Sequence, residues 1–170
     1  MIFQAAVPYR WYTFLGYAIS MILINVLSAW YMTPIVEGAL IPDVAMAGYT
    51  AEEAWTWYES TNRDAYIVIG LMDLLVLIPC GSLWMGSQLA ATGFPVPSVV
   101  AVATLADLTE TLTHFLAVSL HWKPSAEWLE WIVYATRIKF GTIWVLMAAI
   151  VWFAVFPRKR ATSRAQDKTD

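Results

Sequence analysis

The chain has 170 residues, of which 59% are hydrophobic and only 14% charged. Soluble domains are nearer 25% charged, so this composition argues against a water-soluble globule. The net charge of −3 decides little, because the charges are sorted by position, and nothing in the chain suggests nucleic-acid binding. The single cysteine, Cys80, rules out an intrachain disulfide and a cysteine-based metal site.

Four runs reach the roughly 20 apolar residues that a membrane-crossing helix requires. The first, 11–31, reads WYTFLGYAISMILINVLSAWY and has no charge. It is longer than a signal-peptide core and no small-residue cleavage site follows it, so it reads as a retained helix. Ser20, Asn25 and Ser28 are its polar side chains nearest mid-helix. The connection 32–64 is mainly acidic, with Glu37, Asp43, Glu52, Glu53, Glu59 and Asp64 against Arg63. Within it, Thr50-Ala51-Glu52-Glu53 has capping-box spacing and predicts a helix of about ten residues. That helix carries Trp55, Trp57 and Tyr58. It either lies on the outer membrane face or over the bundle mouth, or merely shortens the connection.

The second run, 65–89, has one charge, Asp73. Pro79 should kink it, Gly81 allows close packing, and Cys80 reads as a small buried hydrophobe. The uncharged turn 90–97 leads to the third run, 98–121, which contains LADLTETLTHFLAV. After the short link 122–128 comes the fourth, 129–156, with Glu130 at its edge and Arg137 and Lys139 inside. The tail 158–170 is polar and basic, with Arg158, Lys159, Arg160, Arg164 and Lys168, and is expected to be disordered. None of the runs alternates as a barrel strand would. The fold class is therefore all-α: a four-transmembrane-helix bundle with a short outer-loop helix. The acidic connection and the basic tail put both termini on the cytoplasmic side, and four spans require both ends on one side. Trp11, Trp84 and Trp152 then fall near inner ends, and Trp30, Trp122, Trp128 and Trp131 near outer ends.

Charges inside the apolar runs are the main functional signal. Asp107, Glu110 and His114 are separated by steps of three and four, which places them on one helical face with Thr111 beside them. At about 1.5 Å per residue, Asp73, Asp107, Glu110, Arg137 and Lys139 all fall near mid-bilayer, with His114 nearer the outside. A charge there costs about 2.5–3.5 kcal/mol on insertion scales, so these groups should face inward and find one another. Arg137 and Lys139 stand about 200° apart on the helix. Arg137 is the expected partner of Glu110, because its guanidinium forks to a carboxylate, and Lys139 is expected either to face Asp73 or to reach along the bundle. Three acids against two bases leave one acid in excess, to be met by a proton or by His114. The cluster reads either as an ion-pair network fixing helix register or as a site, and an unbalanced cluster favours a site.

Hydrolase, zinc-protease, nucleotide-loop and dinucleotide motifs are missing, and no pair of His has ligand spacing. No metal or cofactor is expected. The ordered features GYTAEEAWTWYE (48–59), Tyr66 with Asp73, Asp107-Leu108-x-Glu110 and Lys139 resemble a group of small four-span membrane proteins best known from bacterial genomes. That resemblance spans most of the chain and implies topology but no function. More loosely, the chain is similar to the EXPERA family of four-span proteins, which includes sterol isomerases and the sigma-2 receptor. Those members hold acidic residues in an intramembrane cavity that meet a cationic intermediate or amine ligand. The similarity implies such parts for Asp73, Glu110 and His114, although Arg137 and Lys139 would neutralise them here.

Three functions follow from these residues. The polar core binds a lipid-like or small-molecule ligand or moves a proton. Alternatively, Glu110 or Asp73 with His114 performs acid–base chemistry on an apolar substrate. In the third reading the chain is a structural or accessory subunit that docks a partner through its outer loop. A cavity reaching the cluster separates the first two from the third, and a His114 that opens into it separates the second from the first. The orientation is checked by cysteines placed at Ala51 and Ala161, which should label from opposite faces of sealed vesicles. Labelling of both from one face would overturn it.

Overall fold

The computed structural model describes residues 2–31, 49–91 and 97–156. The expected disorder of 158–170 and most of the acidic connection lie outside these. The described chain is helical, with no strand among the described residues. A short helix α1 (Ile2–Ala6) passes through a 3-10 turn (Val7–Tyr9) into α2 (Arg10–Tyr31). Pro8 sits in that turn, where its missing N–H costs little. Helix α3 (Ala51–Ser60) is followed by α4 (Arg63–Met72), a π-helical turn (Asp73–Leu77) and α5 (Ile78–Ala91); the last three run on without a break. Helices α6 (Pro97–Leu120) and α7 (Ala126–Val155) complete the bundle. Four helical stretches, 2–28, 63–91, 98–120 and 126–155, are long and apolar enough to cross a membrane.

Local chemistry fixes the ends. At α3 the capping box is complete: Thr50 Oγ1 accepts from the Glu53 N–H, and the Glu53 carboxylate accepts from the Thr50 N–H. The Thr50 donors hold the Glu53 carboxyl below its ordinary range. Asn62 caps α4 and Ser125 caps α7 through their side chains. His121 takes the left-handed conformation (φ 53°) just past the last residue of α6. The Arg63 guanidinium donates to the Ser119 carbonyl at the same end, a favourable place for a cation on the helix dipole. The expected kink at Pro79 takes another form. Its absent N–H lies just beyond the π turn, where the Ile78 N–H reaches back five residues to Asp73 O.

Helix α6 packs most extensively on α7, α2 on α5, and α4 on α6. Two stripes interlock at the α6–α7 seam. On α6 it is Val100, Ala103, Asp107, Glu110, His114 and Ala117; on α7 it is Leu129, Ile132, Thr136, Lys139, Ile143 and Leu146. Both step by three and four, the period of a helix–helix seam. One apolar cluster (Met85, Leu89, Val100, Ala103, Leu146) fills the end away from α3. The other, with Trp57, Tyr66, Ile69 and Val118, lies under α3. Thus α3 covers the bundle end, with Ala54 and Trp57 buried and Trp55 Nε1 donating to Pro124 O. At the opposite end α1, which precedes the first apolar run, packs on α5: the Phe3 ring occupies the space where a Gly86 side chain would stand. Cys80 is half-buried against Gly16 rather than fully buried.

Bare backbone is also required where α4 meets α6. A Cβ at Gly70 would come within 2.7 Å of the Phe115 ring. We expect Gly70→Ala to push that ring out of place and cost about 1–3 kcal/mol, read as a lower detergent melting temperature; an unchanged melt would show that the ring yields freely.

Candidate functional site

The α6–α7 seam carries the charged cluster. Glu110 is fully buried (0% exposed). Its Oε2 is ion-paired with Lys139 Nζ, and its Oε1 accepts from Thr136 Oγ1. Lys139 Nζ also lies 3.2 Å from Asp107 Oδ1. One ammonium thus joins two carboxylates a helical turn apart on α6. A third, Asp73 at the head of the π turn, accepts from Thr111 Oγ1 at 2.7 Å.

The arrangement corrects one expectation. Glu110 meets Lys139, not Arg137. Arg137 is exposed, with its guanidinium 5.9 Å above the Tyr134 ring. The cause is angular. Thr136, Lys139 and Ile143 continue the seam of α7, and a residue two positions from Lys139 turns away by about 200°. Only its depth suits Arg137 to the cluster. Arg137 therefore does not belong to the buried group, whereas Asp73, Asp107, Glu110 and Lys139 come together.

Asp73, Asp107 and Lys139 border a cavity of about 280 Å³ lined by α2, α4–α5, α6 and α7. Its walls are mostly apolar: Met21, Ile24, Leu77, Ile78, Phe140 and Ile143 are among them. Polar groups collect at one region. Asp73, Asp107, Thr111 and Lys139 all line it, with Tyr17 nearby on the wall. The Asp107 side chain is 21% exposed, while that of its neighbour Glu110 is fully sealed. Lys139 therefore links a sealed carboxylate to one facing the cavity. Ser82 and Thr104 add a hydroxyl pair, 2.7 Å apart, in the same wall. An apolar pocket with a few convergent polar groups is the usual form of a small-molecule site.

His114 shares the stripe of Asp107 and Glu110 but not the cavity. It is fully buried. Tyr58 Oη lies 2.7 Å from Nδ1 and Tyr49 Oη 3.4 Å from Nε2. Trp57 stands edge-on to the imidazole at a ring-centre distance of 6.3 Å. His114 is thus the anchor of α3 on α6. The aromatic residues of the 48–59 segment are plain in the sequence, but their docking on His114 is not. Among the described residues no group of three or more His, Cys, Asp or Glu is placed to hold a metal ion.

Truncating one member of a buried pair leaves the other charge uncompensated, at about 3–5 kcal/mol. We expect Glu110→Gln and Lys139→Met each to lower thermal stability in detergent by that order, and the double variant to recover part of the loss. Arg137→Gln should cost less than about 1 kcal/mol, as exposed charges do. Additive losses for Glu110 and Lys139 would contradict the pairing.

Set beside known proteins, the chain matches no family model, no curated protein and no solved structure.

Proposed function

We propose that this chain is a multi-pass membrane protein that binds a small amphiphile inside its bundle. In this reading the polar end of the ligand meets Asp73, Asp107 and Lys139, and its apolar part lies along Met21, Ile24, Phe140 and Ile143. The observation that carries the reading is the cavity of about 280 Å³ that reaches the charged cluster. A purely structural ion pair gains from being sealed, as Glu110 is. Leaving Asp73 and Asp107 on a cavity wall exposes costly groups within an apolar layer, and a bound polar head offsets that cost. The acidic α3 side and the basic tail favour α3 on the outer face and both termini inside.

The character of the wall selects the head. Two carboxylates border the cavity, and the ammonium of Lys139 is already shared between Asp107 and Glu110. An anionic head would face like charges. A hydroxyl suits the site better, because it donates to a carboxylate and accepts from Lys139. Acid–base catalysis with His114 is less well supported, because that imidazole is held by tyrosines away from the cavity. The accessory-subunit reading gives no role to a cavity that ends on charged groups.

Native mass spectrometry of gently extracted protein should find a retained small molecule, depleted in Asp73→Asn and Asp107→Asn. Octadecanol added to the delipidated protein should bind more tightly than octadecanoate. An adduct indifferent to both substitutions, or a second protein chain in its place, would count against the reading.

A further inference from the structure

The bundle is not closed on all sides. Helix α2 packs on α4, the π turn and α5, and α7 packs on α6 and α5. Among the described residues α2 and α7 share no extensive packing, yet both contribute to the cavity wall. Met21 and Asn25 of α2 line the cavity and are nevertheless exposed on the surface, Met21 by 37%. The cavity therefore reaches the side of the bundle between α2 and α7. Met21 and Ile24 of α2 and Phe140 and Ile143 of α7 line the cavity, and none is charged. Such an edge admits a hydrocarbon chain and discourages water. Asn25 and Ser28 of α2 are polar residues of the lining, and the Asn25 amide donates back to Met21 O of its own helix.

Size adds a second constraint. Pockets for drug-sized ligands run from about 300 to 1,000 Å³, so a cavity of about 280 Å³ is at the small end of that range. A complete membrane lipid does not fit. Neither does a neighbouring helix, which is about 10 Å across. A polar head and the first few carbons do fit, and the rest of such a molecule must lie outside the cavity.

We propose that the ligand is a long-chain amphiphile with a small hydroxyl head that enters sideways from the bilayer between α2 and α7. Its head rests at Asp73 and Asp107, and its tail stays in the lipid. This rests on the ligand-binding reading above and adds the route, the source and the tail. The source is the membrane itself and not the surrounding water. A class of reaction that releases fatty alcohols or similar single-headed chains into the bilayer would supply it.

The test uses the full chain in phosphatidylcholine nanodiscs with trace octadecanol carrying a diazirine beside its hydroxyl, followed by illumination and peptide mass mapping. Labelling should concentrate severalfold on Asp73, Asp107 and Thr111, which border the head position, over the exposed outer residues Trp144 and Val145. Bulk at the gap, as in Asn25→Trp or the milder Met21→Phe, should reduce it severalfold, with circular dichroism melts checking that each variant is folded. A butanol carrying the same diazirine, added from water, separates the two layers of the idea. If butanol labels the wall equally in the wild type and the Asn25→Trp variant while octadecanol does not label it, the binding reading survives and lateral entry is overturned. If neither labels the wall, both fall. Uniform octadecanol labelling of every exposed apolar residue overturns lateral entry as well.

Discussion

The ion pair between Lys139 of α7 and Glu110 of α6 is the constraint around which the rest is arranged. Two charges in an apolar bundle are tolerable only when they meet, and they meet only in one register of two interlocking helices. Thr136 reinforces that register by donating to the same carboxylate one turn away on α7. With the register set, Asp107 falls one turn from Glu110 and remains within reach of the same ammonium, but on the cavity side. One turn in the other direction, His114 arrives beneath α3. The cavity chemistry and the cover over the bundle end are thus both indexed to a single seam.

Much of this arrangement is legible in the residues themselves. The four apolar runs become four long helices, because a helix of that length satisfies its own backbone wherever it lies. Thr50 and Glu53 mark a helix start, because a capping box is a local signal that needs no tertiary context. The stripe of Asp107, Glu110 and His114 follows from helical period alone. Arg137 is misplaced when depths are matched without matching angles. Its neighbours Ile132, Thr136, Lys139 and Ile143 mark the inward face at steps of three and four, and Arg137 is off that face. Other features leave no readable trace. The cavity lies where α2 and α7 share no extensive packing among the described residues, and a weak contact has no residue signature. The seat of Phe3 on Gly86 joins residues far apart in sequence, and a lone glycine in an apolar run does not say which ring fills the space beside it.

The outer faces also follow from this division of labour. Polar chemistry is concentrated on the seam and the cavity wall, so the backs of the helices are free to be largely apolar. Trp131, Trp144 and Trp152 are accordingly exposed, as suits side chains that face lipid or its interface. Small residues do the opposite work inside, at Gly70 and Gly86, where ring and backbone meet without an intervening side chain.

The π turn has a geometric effect that extends along its whole helix. On a regular helical wheel, the cavity-lining residues before the turn (Tyr66, Ile69, Gly70, Asp73) and those after it (Ile78, Gly81, Ser82, Met85) point in directions about 120° apart. One extra residue per turn is about that rotation. The widened turn at Asp73–Leu77 thus acts as a phase shifter. It lets two amphipathic segments that would disagree about which way is inward share one wall. Pro79 accordingly does more than interrupt a hydrogen bond: by favouring the wider turn just ahead of it, it keeps the two halves of the helix in phase.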